Sequence, residues 1–137
     1  MIKEGLQQEV VEFHKNRPIM DAYNTPENLG SRLKGEIDEL LAEIYWGEKE
    51  PTPEEIARVE DELADVMIGG FCLGDCLGID VEAAVRKKLA KNELRFPKEL
   101  FKEGDFQTVY LNRKLELGEI KELPHTDARE SWGVFNS

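Results

Sequence analysis

Residues 52–79, TPEEIARVEDELADVMIGGFCLGDCLGI, decide how this chain reads. Thr52 is a side chain that caps helices, Pro53 suits the first helical position, and Glu55 stands three residues after the cap. Ile56, Val59, Leu63, Val66 and Met67 then recur at helical spacing. From Val66 to Ile79 a single charge, Asp75, interrupts the apolar run. The pattern predicts one helix from Pro53 to Leu77 or Gly78, amphipathic in its first half and apolar all round in its second. A helix apolar all round is expected to be buried all round, which makes this the central element. Gly70, Gly74 and Gly78, four apart, would let another helix approach it closely.

The same start signal stands upstream, where Thr25 precedes Pro26 and Glu27. A helix is predicted from there to Trp46, with an apolar stripe of Leu29, Leu33, Ile37, Leu40, Leu41 and Ile44, stopped by Gly47. Residues 2–16 predict a first helix through Ile2, Leu6, Val10 and Phe13, and residues 17–25 read as a loop begun by Pro18. Asp80 caps a further helix over 81–95, closed by Pro97. The expectation is an all-α, antiparallel four-helix bundle over residues 1–97. Residues 98–137 are expected to form a C-terminal arm that packs on the bundle or on a partner subunit, with Phe106 to Leu117 read as a strand pair or a short helix.

Composition narrows the function. The chain has 137 residues, 29 acids and 18 bases, for a net charge of −11. So acidic a molecule repels nucleic acid polymers and anionic membranes. The apolar run from Val66 to Ile79 is too short to span a bilayer, which needs about 20 residues. The N-terminus has no apolar signal-peptide core, and Cys72 and Cys76 fit two reduced core thiols. A cytoplasmic protein is expected.

Four acids can carry chemistry. Glu36 and Glu39 share one helix face, and Glu62 and Asp65 repeat that spacing where the central helix turns apolar. On adjacent antiparallel helices the two pairs can face each other. They would then raise each other's pKa unless a cation sits among them, and hard oxygen ligands suit Mg²⁺ or Mn²⁺. The bland alternative is a set of ordinary solvated acids. On the helix over 81–95, the inward stripe of Val81, Ala84 and Val85 continues as Lys88, Asn92 and Arg95, changing from apolar to cationic. Those three either reach solvent at the bundle end or face phosphates held at the carboxylates. Trp46 reads as core or as a stacking surface for a planar base. His14 is a lone histidine, as readily packing as functional.

The arrangement resembles the all-α nucleoside triphosphate pyrophosphohydrolases, specifically their MazG-like and dCTP pyrophosphatase-like branch. Glu36-x-x-Glu39, then 22 residues, then Glu62-x-x-Asp65 matches their signature spacing. LKGEIDELLAEIYWGE (33–48), EDELADVMI (60–68), DVEAAVRKKLAKNELRFP (80–97) and EFHKNRP (12–18) resemble further segments in the same order. The resemblance covers roughly residues 5–97, and residues 98–137 match nothing in it. It implies Mg²⁺-dependent attack of water on the α-phosphorus of a nucleoside triphosphate, releasing the monophosphate and pyrophosphate. It implies Glu36, Glu39, Glu62 and Asp65 as metal ligands, with one of the first pair, Glu36 or Glu39, orienting or deprotonating the water. Lys88, Asn92 and Arg95 would hold phosphates, and Trp46 and His14 would border the base. The glycine stripe and the apolar central helix point to a homodimer or a tetramer. Two other readings stand beside this one: a non-catalytic acidic helical interaction protein, and, ranked lower, a phosphoribosyl-ATP pyrophosphatase.

Overall fold

The computed structural model describes residues 5–123. Those residues form six α-helices and one short 3₁₀ turn, with no strand among them. The helices are α1 (Leu6–Lys15), α2 (Pro18–Tyr23), α3 (Pro26–Glu43), α4 (Pro53–Cys76), α5 (Val81–Arg95) and α6 (Phe106–Glu116), and the 3₁₀ turn is Lys98–Phe101. The all-α class expected from the periodicity is the class observed. The chain divides into two compact units, between Val85 and Arg86 and thus within α5.

In the first unit the cap residues act as their sequence suggests. The Thr25 hydroxyl accepts the Asn28 N–H at 3.2 Å and starts α3. The Thr52 hydroxyl accepts the Glu55 N–H at 3.2 Å, while the Glu55 carboxylate accepts the Thr52 N–H at 2.9 Å. That reciprocal pair starts α4 and holds the Glu55 carboxyl below its usual range, chiefly through the backbone hydrogen bond. Contacts between α3 and α4 run in opposite senses along the chain. Arg58 binds Glu43 at 3.0 Å, and Leu33 packs where a Cβ on Gly69 would sit, so the two long helices are antiparallel. Leu29, Val11 and Cys72 are the buried apolar centre of this unit.

Two expectations need correction here. Residues 17–25 are not a plain loop, because Pro18 begins α2 instead of merely ending α1. A proline at the first turn gives up an N–H that had no partner anyway. The second half of α4 is not buried all round within one chain. Cys72 and Gly74 are buried, yet Met67 is 51% exposed and Leu77 is 55% exposed. One chain supplies α1 and α3 against this helix and leaves the rest of its surface uncovered.

Gly74 and Gly78 serve the turn that follows α4 in their own chain. Gly78 takes φ +71° beyond the C-cap, and Ile79 N–H returns to the Gly74 carbonyl at 2.8 Å. This is the six-to-one closure that lets a helix turn sharply. A Cβ on Gly74 would overlap a Val81 methyl and lie 3.2 Å from the Ile79 carbonyl. Gln7 locks the same turn from α1. Its amide donates to the carbonyls of Phe71 (3.2 Å) and Ile79 (3.0 Å) and accepts the Val81 N–H at 2.8 Å. A buried amide with each of these bonds made is a favourable polar group in a core.

In the second unit the sequence left a strand pair or a short helix open for Phe106 to Leu117, and the structure has the helix there, α6. Asp105 caps α6 by accepting the Thr108 N–H at 3.0 Å. Phe96, Phe101, Phe106 and Tyr110 stack edge to face and face to face at centroid distances of 4.8–6.3 Å. Leu111 beside them is fully buried. Arg113 donates to the Arg95 carbonyl at 2.6 Å and satisfies the end of α5. The remainder of the expected arm, residues 124–137, lies outside the described residues.

Candidate functional site

Glu36 and Glu39 project from α3, and Glu62 and Asp65 from α4. Antiparallel packing of these two helices brings the pairs together. Carboxylate oxygens of Glu36, Glu62 and Asp65 lie within 4.8 Å of one another. Glu39 reaches Glu62 from one turn away, close enough for the two carboxyls to hydrogen-bond. All four acids predicted from spacing therefore meet on one helix–helix seam, three of them around a single point.

The electrostatics are those of like charges brought together under partial burial. Burial raises the Glu62 pKa first, and the Glu39, Asp65 and Glu36 charges raise it further. Burial also raises Asp65, with Glu36 and Asp61 adding to it and Arg32 opposing. The Glu62 Oε2 atom is buried without a hydrogen-bond partner. An orphaned carboxylate oxygen among other carboxylates fits a hard divalent cation. Three such carboxylates within 4.8 Å of one another could hold one hard divalent ion such as Mg²⁺. The residues present thus fit the ion that the resemblance implies.

A cleft of about 440 Å³ opens beside Asp65. Val10, Phe13, Met20 and Ile68 supply apolar walls, and Glu9, His14 and Arg32 join Asp65 as its polar groups. That volume and mixture suit a small organic ligand. His14 is 5% exposed, donates Nδ1–H to the Val10 carbonyl at 2.9 Å, and contacts the Cys72 sulfur at 3.7 Å. It lies between this cleft and a smaller cavity of about 270 Å³ that Cys72, Cys76 and Asn24 also line. Burial raises the pKa of both thiols, and the Cys76 thiol donates to the Asn24 carbonyl at 2.6 Å. Both cysteines are free.

Trp46 sits beyond the end of α3, ten residues past Glu36, and lines neither cavity. Its indole nitrogen is buried without a partner. Lys88, Asn92 and Arg95 belong to the second unit. There Arg95 forks onto Glu119 through Nε at 2.9 Å and through Nη2, and donates to Asn92 Oδ1 at 2.8 Å. Lys88 is exposed.

The sequence passed over two contributors. Arg32 binds Glu36 at 3.4 Å, and the i,i+4 spacing of opposite charges could have flagged it. Met20 reaches the cleft from α2, whose six residues are too few to carry a periodic signal.

Among the described residues, no helix is long and apolar enough to cross a membrane. A sequence model of the MazG-like family matches residues 19–104, more than half the chain. The chain is 32% identical over 120 residues to human (Homo sapiens) dCTP pyrophosphatase 1, covering 83% of this chain and 64% of that protein. It is 32% identical over 83 residues to the Rattus norvegicus dCTP pyrophosphatase 1, covering 56% of this chain and 49% of that protein. It therefore spans between about half and two-thirds of the length of these curated relatives. The family match takes in α3 and α4, with all four acids of the seam, and on that match the chain belongs to the MazG-like family.

Proposed function

We propose that the protein is a nucleotide pyrophosphohydrolase that cleaves a nucleoside triphosphate, or a deoxynucleoside triphosphate, to the monophosphate and pyrophosphate. The observation that carries this is the convergence of Glu36, Glu62 and Asp65, with the orphaned Glu62 Oε2, at the edge of the cleft. The relatives named dCTP pyrophosphatase supply the substrate class, and dCTP is the first nucleotide to test.

Glu36, Glu62 and Asp65 would hold Mg²⁺, or Mn²⁺ in its place, and Glu39 would complete the set through Glu62. A bound divalent ion neutralises phosphate charge and polarises the phosphoryl oxygens. The carboxylate of Glu36 or Glu39 orients the attacking water and accepts its proton. Phe13, Met20 and Ile68 offer apolar surface to a base, and buried His14 gives that surface a polar edge. Cys72 and Cys76 remain thiols in a reducing, cytoplasmic setting.

The test is a panel of ribo- and deoxyribonucleoside triphosphates with Mg²⁺, scored separately for pyrophosphate and for phosphate. Pyrophosphate release that stops with EDTA supports the reading. Release of orthophosphate alone, or no turnover of any nucleotide, overturns it. The second outcome would favour the acidic interaction protein.

A further inference from the structure

Arg32 stands one helical turn before Glu36 on α3, and its Nε lies 3.4 Å from Glu36 Oε1. The two side chains differ in setting. Arg32 is 45% exposed, while Glu36 is 15% exposed and belongs to the carboxylate cluster. Arg32 also lines the cleft together with Asp65. One guanidinium thus reaches both the cluster and the space beside it. Its charge acts on the far side of the seam as well, where it opposes the rise in the Asp65 pKa.

Physical magnitudes say how such a pair behaves. An exposed i,i+4 ion pair shifts an equilibrium only about twofold, so it is easily exchanged. A divalent cation among three carboxylates brings twice the charge to a more buried point and repels a guanidinium held on one of its ligands. A guanidinium released there keeps a planar fork of donors suited to phosphate oxygens.

We propose that Arg32 is a resident counter-ion of the cluster that changes partner. It holds Glu36 in the metal-free protein, gives Glu36 up when a divalent cation binds, and then presents its guanidinium to the triphosphate of the substrate in the cleft beside Asp65. This rests on the function proposed above and adds a residue outside the carboxylate set.

The experiment titrates Mg²⁺ calorimetrically into the EDTA-stripped, nucleotide-free full chain, as parent, Arg32→Gln, Arg32→Lys and Glu36→Gln. Loss of the competing charge in Arg32→Gln is expected to tighten Mg²⁺ about fivefold, and the gain should shrink at high salt. Arg32→Lys keeps the charge and should stay within about twofold of the parent. For the triphosphate turned over fastest in the panel, Arg32→Gln should raise KM about tenfold with kcat changed far less, as expected when a ground-state contact to substrate is lost. Equal or weaker Mg²⁺ binding in Arg32→Gln, or an unchanged KM, overturns the proposal. If the parent binds Mg²⁺ and Glu36→Gln does not, the metal site stands whatever Arg32 does. A parent that binds no Mg²⁺ removes the functional reading and this inference together.

Discussion

At the scale of single residues, the carboxylate seam is where charge and fold conflict. Glu62 and Asp65 are pushed toward their protonated forms by burial and by neighbouring acids. Asp65→Asn removes a charge but almost no volume, so it should leave the helices intact and lower kcat by about a hundredfold or more. Circular dichroism with a turnover assay checks this, and near-parental turnover would remove Asp65 from the site. The ion pair between Arg95 and Glu119 behaves in the opposite sense. Hydrogen bonding to Arg95 holds the Glu119 carboxyl below its ordinary value of 4.5. A depressed carboxyl contributes stability that is fully present above its unfolded pKa and is lost as pH falls through the folded one. Glu119→Gln should therefore melt below the parent at pH 7 and converge with it as pH falls through the titration of the folded Glu119 carboxyl. Thermal melts across that range decide it, and parallel curves would mean the pair contributes nothing.

At the scale of elements, caps explain where helices start and glycines explain where they turn. Thr25, Thr52 and Asp105 each accept a backbone N–H at the first turn of their helix. The α4–α5 turn depends on a side chain that is missing. Gly74 leaves room for Val81 and for the Gln7 amide, and any Cβ there meets both. Gly74→Ala should destabilise the fold by about 1–3 kcal/mol, since the Val81 contact must shift or the turn must open. Chemical denaturation measures this directly. A variant as stable as the parent would show that the turn is free to relax. Gly70 has open space at its Cβ position, and the same substitution there should be tolerated.

At the scale of the whole molecule, α3 and α4 leave apolar stripes uncovered. Ile37 and Leu41 on α3, Ile44 at its C-cap, and Ile56, Leu63 and Met67 on α4 are all more than a third exposed. Exposed apolar residues at helical spacing on two packed helices suit burial against a second copy of the chain. A homodimer or tetramer is the expected state. Light scattering at micromolar concentration should give at least twice the chain mass of 15.7 kDa, and a clean monomer would refute the assembly.

Periodicity and capping alone placed α3, α4 and α5 within a few residues, because local signals set those boundaries: a hydroxyl before a proline, a stripe every three or four residues, a glycine at the stop. The pairing of Glu36 and Glu39 with Glu62 and Asp65 was legible for a related reason, since helical spacing fixes a face and an antiparallel neighbour makes two faces meet. What the tertiary structure decided depends on contacts distant in sequence. The short α2 carries Met20 to the cleft, and its six residues are too few for a periodic signal. Gln7 clamps a turn 64 to 74 residues away. The glycine stripe of α4 read as a surface for another helix, yet Gly74 and Gly78 are spent on the chain's own turn. A sequence lists which side chains a helix face offers, whereas what approaches that face is settled by packing among all the elements at once.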